Sequence, residues 1–368
     1  METLVNVGDP KAIKRWSARL AVETLGQSFW NRRMIGDADT FVIQQKTELE
    51  DGPGDRVSFD LSVQLRGTPT RGDNRLQGNG ENLRFFTDEV IIDMLRKGTT
   101  VGGKMTRKRT LHNLRSIAKA RLSDYWSKYM DETMFIYLSG ARGMNEDYIE
   151  APDFAGHADN PIQSPDGQHV LYGGGATSKA TITADVNDGM TRELIERAVA
   201  HAKMMRALDP EAANMQPVMI DGSPHYVTVM GPFQEYQLRN NAGTSGWLDI
   251  QKAAASSEGR NNAIFKGGLG MINNVVLQCH ESSVRFADYG AGANIPAGRA
   301  LFLGRQAGVV AYGTSGGSRM SWTEEDSDHK NQLEIAGGST FGMKKTRFNN
   351  RDFGVLALDT YAPLPVGS

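Results

Sequence analysis

Alternating apolar and polar positions give the clearest local prediction in the chain. From Val57 to Leu65, five apolar side chains occupy every second position, and polar or charged side chains lie between them. This period of two is typical of a strand with one buried face. A second run of strand-forming residues extends from Phe85 to Met94. Together the two runs predict a hairpin whose polar tip, Gly67 to Arg84, is far longer than the usual connection of about 2 to 5 residues.

A helical period replaces the alternation between Thr106 and Ser139. This segment contains neither glycine nor proline, and its apolar residues recur at helical spacing. As one helix it would be roughly 50 Å long, and Gly140 and Gly143 would end it. Three shorter helices are predicted: one that begins at Asp9 and Pro10, one from Thr191 to Leu208, and one from Trp247 to Ser256.

The remaining chain is predicted to form short strands and irregular segments. Residues 144–190 are rich in Gly, Asp, Asn and Pro, which indicates an irregular excursion with one short strand near Ala180 to Ala184. Four further strands are predicted at Val218 to Ile220, Tyr226 to Met230, Asn274 to Gln278 and Gly354 to Leu358. Strands and helices do not alternate regularly, and no internal repeat is present, so the predicted fold class is α+β.

The composition adds no new element but excludes several classes of protein. A length of 368 residues exceeds what one core usually supports, and the 39% hydrophobic and 23% charged fractions are those of a globular protein that folds in water. The single Cys279 excludes an intramolecular disulfide. The N-terminus lacks the apolar core of a secretory signal, and no apolar stretch is long enough to cross a membrane, so synthesis in a reducing cytoplasm is expected.

Charge is distributed unevenly although the formal net charge is only −2. Residues 104–128 carry eight basic side chains against the single acidic residue Asp124. Such a run either faces nucleic acid or is the solvated face of an amphipathic helix. The candidate nucleic-acid-facing residues, including two from the N-terminal region, are Arg15, Arg19, Arg107, Lys108, Arg115 and Lys119.

One glycine-rich run invites a nucleotide-binding interpretation. Gly98 to Lys104 matches the GxxxxGK part of a phosphate-binding loop and lies between a predicted strand and a predicted helix. The motif requires Ser or Thr at the next position, because that hydroxyl ligates magnesium, and Met105 offers no oxygen. A glycine-rich junction between strand and helix is therefore favoured over a P-loop enzyme, which remains an alternative.

Other enzyme-like patterns are weaker. Gly313 to Gly317 has the GxSxG form, but no helix is predicted directly after it, as a nucleophile elbow requires. Cys279, His280 and Glu281 have no partner at metal-ligand spacing. The acidic run Glu324 to His329 predicts a solvated loop, and whether it holds a cation stays open. No catalytic, cofactor-binding or metal site is predicted.

Several blocks of sequence are similar to one family. In the C-terminal third they are Ala263 to Leu277, Gly298 to Gly308, Phe341 to Phe348 and Phe353 to Thr360, in that family's order. In the N-terminal half they are Gly54 to Phe59, Leu76 to Asn79 and Arg107 to Thr110. From about Asp39 to Thr360 the chain thus resembles the phage N-four-type major capsid protein family. Residues 144–190 and the acidic stretch Glu324 to Lys330 depart from the family pattern.

The resemblance implies the Johnson fold of tailed-phage shells, also described as Hong Kong 97-like. The implied division is an N-terminal arm at 1–50, an extended two-stranded loop at 51–103, a peripheral domain with a spine helix and an irregular excursion at 104–204, an axial domain at 205–330, and return strands with a C-terminal tail at 331–368. The implied function is a major capsid protein that assembles into an icosahedral shell around double-stranded DNA. A tail or decoration component is a further alternative.

Partners and location follow from the same resemblance. The chain is expected to contact itself in hexamers and pentamers, packaged double-stranded DNA without sequence preference, a separate scaffolding protein, a portal and a decoration protein. No long charged helical segment precedes the arm, which favours a separate scaffold. No membrane contact and no cofactor are expected. The protein would be made and assembled in the host cytoplasm and end in the virion capsid.

The polar tip is expected to lie on a neighbouring copy. Its eighteen residues include only two large apolar side chains, Leu76 and Leu83, and ordering it costs roughly 1 to 2 kcal/mol per residue in backbone entropy. Contacts from a neighbour would offset that cost, whereas without them the tip would be a flexible loop. The predicted inter-subunit contact residues are Arg66, Arg71, Asp73, Arg75, Glu81 and Arg84.

Overall fold

The computed structural model describes residues 28–50, 52–62, 64–109, 113–208, 213–220, 222–241, 269–314 and 319–364. The α-helices within these residues are α1 (Phe29–Arg33), α2 (Lys104–Arg109), α3 (Leu114–Ser139), α4 (Arg192–Leu208) and α5 (232–241). Single 3-10 turns lie at Lys179–Thr181 and Val186–Asp188. The helices predicted after Asp9 and at Trp247 to Ser256 lie outside the described residues.

The strands in the described part of the chain are short, apart from two long ones in the same sheet. They are β1 (Ile35–Gly36), β2 (Ile43–Lys46), β3 (Arg56–Ser62), β4 (Phe85–Ile91), β5 (Asp93–Gly103), β6 (Val170–Tyr172), β7 (Val218–Ile220), β8 (Ser223–Met230), β9 (Gly270–Ile272), β10 (Val275–Cys279), β11 (Arg285–Tyr289), β12 (Ile295–Leu303), β13 (Gly308–Tyr312), β14 (Ser321–Ser327), β15 (Gln332–Lys345), β16 (Arg347–Phe348), β17 (Arg351–Asp352) and β18 (Val355–Tyr361).

Two sheets organise the fold. The first has the order β1-β2-β13-β15-β14. Strand β5 pairs with β15 along the edge opposite to β13 and β14. The second has the order β6-β18-β12-β8-β10-β9, with β11 on β12 and β7 on β8. Strands β3 and β4 form a separate antiparallel hairpin, and β16 and β17 form another. The predicted α+β class is confirmed.

Among the described residues α3 is the longest helix, and it packs in one core with strands of both sheets. Its N-terminus is capped by the Asn113 side chain, which accepts a hydrogen bond from the Ser116 amide, and it ends at Gly140 in the left-handed conformation. A Cβ at Gly140 would lie 2.2 Å from the Gln163 carbonyl oxygen, so a larger residue is excluded there. Over its 26 residues α3 extends about 39 Å. Every residue from Thr133 to Ser139 is buried, so its C-terminal half is a core element.

Both faces of the second sheet are buried, because alternate side chains along its strands pack in two different cores. Leu301 and Leu303 on β12 pack in the core that contains α3 and the first sheet. Ala300 and Phe302, which point the other way, pack in a second core with α4. The nearly continuous apolar strands of this sheet follow from that double burial.

An aspartate in α3 fixes the start of the described chain. Asp131 is buried and accepts hydrogen bonds from the Ser28 hydroxyl at 2.6 Å and the Phe29 amide at 2.8 Å. Burial raises the pKa of this carboxyl despite those donors. The carboxylate thereby satisfies amides at the first turn of α1, which have no partner inside the helix.

The single helix predicted from Thr106 to Ser139 is wrong in its first part. Strand β5 continues to Gly103, α2 follows at once, and a new helix begins after the cap at Asn113. The capping side chain of Asn113 provides the start signal, and it lies inside the predicted helix Thr106 to Ser139.

Two strand predictions also require correction. The run Phe85 to Met94 divides at Ile92, because β4 pairs with β3 up to Ile91 whereas β5 pairs with β15 from Asp93 onward. The strand predicted at Ala180 to Ala184 is absent from the described structure. A 3-10 turn occupies its start, since the Thr181 hydroxyl accepts the amides of residues 177 and 178.

The acidic run Glu324 to His329 is a strand end rather than a loop. Its first four residues belong to β14, because Trp322 is buried and the Glu324 side chain turns toward α3. The other predicted strands and the helix Thr191 to Leu208 are confirmed with small changes at their ends. Among the described residues, no helix combines the length and apolarity needed to cross a membrane.

Candidate assembly interface

The root of the β3–β4 hairpin is firmly attached to the first sheet. The two strands pair from Arg56–Ile91 to Ser62–Phe85. Val57 and Val90 are buried against Leu49, Val309 and Ala311. Lys344 of β15 forms an ion pair with the buried Asp88 of β4. The hairpin is therefore held rigidly where it leaves the body of the molecule.

The tip of the hairpin has the opposite character. Residues 64–84 form no helix or strand, and all of them except Thr70 are exposed. Four large apolar side chains on or beside the tip are more than half exposed: Leu65 60%, Leu76 67%, Leu83 63% and Phe85 58%. Several exposed apolar side chains on one segment make it a candidate surface for contact with another molecule.

The tip nevertheless has local order. The Asn74 amide donates to the Arg71 carbonyl at 3.3 Å, and the Asn79 amide donates to the Leu76 carbonyl at 3.0 Å. The Glu81 carboxylate accepts the amides of Gly67 and Arg66, the latter at 2.7 Å. These hydrogen bonds lower the pKa of Glu81. Glu81 thus ties the two sides of the loop together.

Three further predicted contact residues, Arg71, Asp73 and Arg75, lie in the first half of the tip. The Arg75 guanidinium donates to the Gln77 side chain at 3.1 Å. Within the described part of the chain, Arg71 and Asp73 form no ion pair, and both are exposed. Arg71, Asp73 and Arg75 are therefore placed where a neighbouring molecule can reach them.

Arg66 and Arg84 lie at the root, where they line a cleft of about 330 Å³ between the hairpin and the body. Three further arginines, Arg206, Arg305 and Arg351, line the same cleft. The Arg206 guanidinium donates to the Gln64 side chain, which holds α4 against the loop. Five arginines and one acidic residue, Asp352, line the cleft, so its charged lining is mainly positive.

The candidate nucleic-acid-facing residues are divided by the structure. Arg15 and Arg19 lie outside the described residues. Lys108 is exposed, and the Arg107 guanidinium donates to the Asn331 carbonyl at 3.2 Å. Arg115 forms an ion pair of 2.6 Å with Glu324, and the Lys119 ammonium lies 5.9 Å above the Trp322 ring. The Arg115 guanidinium thus has an acidic partner within the chain, and its contact with DNA stays a prediction.

The enzyme-like patterns acquire structural explanations. Gly98 to Gly103 form the end of β5 and pair with β15, so this run is sheet rather than a loop that could wrap around a phosphate. Strand β14, not a helix, follows the GxSxG pattern. Cys279 ends β10, and burial raises the pKa of its thiol, which opposes nucleophilic reactivity. Among the described residues, no group of three metal-ligating side chains comes together.

A buried charge cluster joins α3 to the second sheet. The Arg299 guanidinium donates to both oxygens of Asp359 at 2.6 Å and to the Ser139 carbonyl at 2.7 Å. The Tyr289 hydroxyl also donates to Asp359 at 2.6 Å. Sequence reasoning did not identify this cluster. The only local signal is one charged residue within each of two apolar strands, β12 and β18.

Comparisons with known proteins agree with one another. A family described as phage capsid protein matches residues 4–364. The major capsid protein of Pseudomonas phage KPP25 is 27% identical over 93% of this chain and 93% of its own length. The capsid of Ralstonia phage GP4 is 56% identical over the whole of both chains, with a TM-score of 0.87. The Cyanophage Pam1 capsid is 19% identical over 89% of this chain and 91% of its own, with a TM-score of 0.69, and shares the fold.

Proposed function

The chain belongs to the phage capsid protein family, and we propose that its copies join through residues 64–84 into hexamers and pentamers of a closed icosahedral shell around double-stranded DNA. It is a major capsid protein and a component of the phage virion. Its fold is the Johnson fold of tailed-phage capsids. The observation that carries the proposal is the contrast between the anchored hairpin root and the exposed, apolar-bearing tip.

The family is one of structural proteins, and we propose that this chain has no catalytic activity. Neither the P-loop enzyme nor a tail or decoration component is supported by the comparisons. We also propose a separate scaffolding protein, a portal and a decoration protein as partners, and assembly in the host cytoplasm. The likeness to tailed-phage capsids supports these proposals.

For the domain division, we propose the boundaries that the resemblance implies, with an arm at 1–50, an extended loop at 51–103, a peripheral domain at 104–204, an axial domain at 205–330 and return strands at 331–368. Strands β13 and β14 lie in the range 205–330 but pair with β15 of the first sheet. The chain therefore crosses between the sheets before the last of these boundaries.

Shell formation is tested by sedimentation. Repeated contacts between unlike surfaces of one chain close into symmetric assemblies when their rotations add to a full turn. Purified protein, alone or with the products of neighbouring genes, should sediment as large closed particles visible by negative-stain microscopy. Protein that remains monomeric at every concentration and with every candidate scaffold would refute the proposal.

The assembled shell should contain no covalent cross-link through the hairpin. Some related shells join lysine to asparagine at this place, but from Thr47 to Arg96 the chain has no lysine. Mature particles should give a single band near 40.3 kDa on a denaturing gel. A ladder of oligomers that survives boiling and reductant would contradict this expectation.

We propose that the six candidate residues face packaged DNA: Arg15, Arg19, Arg107, Lys108, Arg115 and Lys119. Such contacts neutralise phosphates without reading bases, so they weaken as salt rises. Replacing Lys108 with Ala should reduce the slope of log affinity for duplex DNA against log salt by about 0.9. Lys203→Ala, at another exposed lysine, is the matched control. Equal slopes for the two variants would remove Lys108 from the DNA-facing set.

A further inference from the structure

One face of the sheet formed by β5, β15 and β14 has no covering element among the described residues. The opposite face packs in the core with α3 through the buried residues Trp322, Leu333 and Ile335. Because side chains alternate along a strand, the intervening residues point to the open face. Those residues line a trough of about 530 Å³: Gly98, Thr100, Thr323, Glu325, Glu334 and Ala336.

The trough contains two glutamates in direct opposition. Glu325 of β14 and Glu334 of β15 are cross-strand partners, and both are exposed. Like charges directly opposite each other on an antiparallel pair destabilise the sheet. Within the described part of the chain, neither carboxylate forms an ion pair. A cationic partner from outside the chain would be attracted to both carboxylates and would offset their repulsion.

The floor of the trough is lined by small residues, so another chain can approach it closely. On the open face Ala336 of β15 lies opposite Thr323 on one side and Gly98 on the other. Small side chains there allow an extended backbone to lie directly on the sheet. Phosphate would be repelled by the two carboxylates, which excludes nucleic acid as the occupant.

We propose that this acidic trough, defined by Glu325 and Glu334, receives the hairpin tip of a second copy through Arg71 and Arg75. This inference rests on the proposed function, in which the tip docks on a neighbour. Residues 64–84 carry four arginines and two acidic residues, and Glu81 is already used within the loop. The tip is thus an irregular cationic segment, and the trough is an open acidic sheet face. Contact between unlike surfaces of identical chains is the kind that closes a ring.

A charge-exchange cycle tests the pairing. Glu325→Arg with Glu334→Arg, and separately Arg71→Glu with Arg75→Glu, should each raise the protein concentration needed for assembly by roughly tenfold or more, because like charges then face each other. All four substitutions together should restore assembly to within about threefold of the wild type. The variant Glu325→Gln with Glu334→Gln, which keeps the side-chain size, should weaken assembly and reduce its dependence on salt.

Controls separate this inference from the proposal on which it rests. Asp326→Arg reverses a charge on the next residue of β14, which points to the other face, and should leave assembly unchanged. Circular dichroism of each unassembled variant verifies folding. If removal of the tip abolishes assembly but the charge exchange does not restore it, the tip docks elsewhere and the trough assignment is wrong. Loss of wild-type assembly on chelation of divalent cations, with no rescue by the exchange, would make the trough a cation site and would also overturn it.

Discussion

Replacing residues 68–83 with a short glycine-containing turn is expected to leave a folded monomer that no longer forms shells. The hairpin root is held by its own strand pairing and by burial of Val57 and Val90, and neither involves the deleted residues. The deleted segment contributes exposed surface, including Leu76 and Leu83 at 67% and 63% exposure. The monomer therefore loses little on deletion, whereas the shell loses the contact that would order the tip.

Circular dichroism should remain near that of the wild type, and the melting temperature of the monomer should change by no more than a few degrees. Negative-stain microscopy should show no closed particles. A second variant, in which a Gly/Ser segment of equal length replaces residues 68–83, separates the side-chain contacts from the reach of the loop. It should also fail to assemble. Normal, equally stable particles from either variant would show that the tip is dispensable.

Among the substitutions proposed here, removing one member of the Arg299–Asp359 pair is expected to cause the largest loss of folding stability. Both residues are buried, with exposures of 8% and 1%, and Arg299 also binds the last turn of α3. Arg299→Met leaves an uncompensated carboxylate in the core, which costs about 3–5 kcal/mol of unfolding free energy. Urea unfolding of the unassembled protein measures this loss.

Two controls define the origin of the effect. Arg192→Ala breaks an exposed ion pair with Glu196, 2.8 Å long, and should cost no more than about 0.5 kcal/mol. The double variant Arg299→Met with Asp359→Leu removes both charges and should be more stable than Arg299→Met alone, because no unpaired charge remains. A loss below about 1 kcal/mol for Arg299→Met would mean that water or a rearranged partner compensates Asp359.

Local periodicity predicted the elements whose form depends on nearby residues. The alternation from Val57 gave β3, the turn-rich composition of Gly67 to Arg84 gave the exposed tip, and the helical pattern after residue 114 gave α3. The family resemblance added the fold, which the comparisons confirmed. For β3, the tip and α3, the pattern that predicts the element is formed by residues close together in the chain.

The predictions failed where a distant residue decides the structure. The run Phe85 to Met94 divides because β4 pairs with β3 whereas β5 pairs with β15, a strand that begins only at Gln332. The ion pair of Arg299 joins residues 60 apart. Neither contact leaves a local periodic signal.

The acidic trough was missed for a related reason. Dense charge from Glu324 to Asp328 concealed the alternation that begins at Trp322, so the segment was predicted as a loop. The opposition of Glu325 and Glu334 becomes visible only once β14 and β15 are paired in register.

An image reconstruction of the assembled particle tests the central claim most directly, since it shows what covers residues 64–84. The account predicts a closed icosahedral shell in which Leu76 and Leu83 of each copy are buried against a neighbouring subunit. It also predicts that the root at Val57 and Val90 is unchanged from the monomer. Closed shells in which the tip projects into solvent, or lies only on its own chain, would contradict the account.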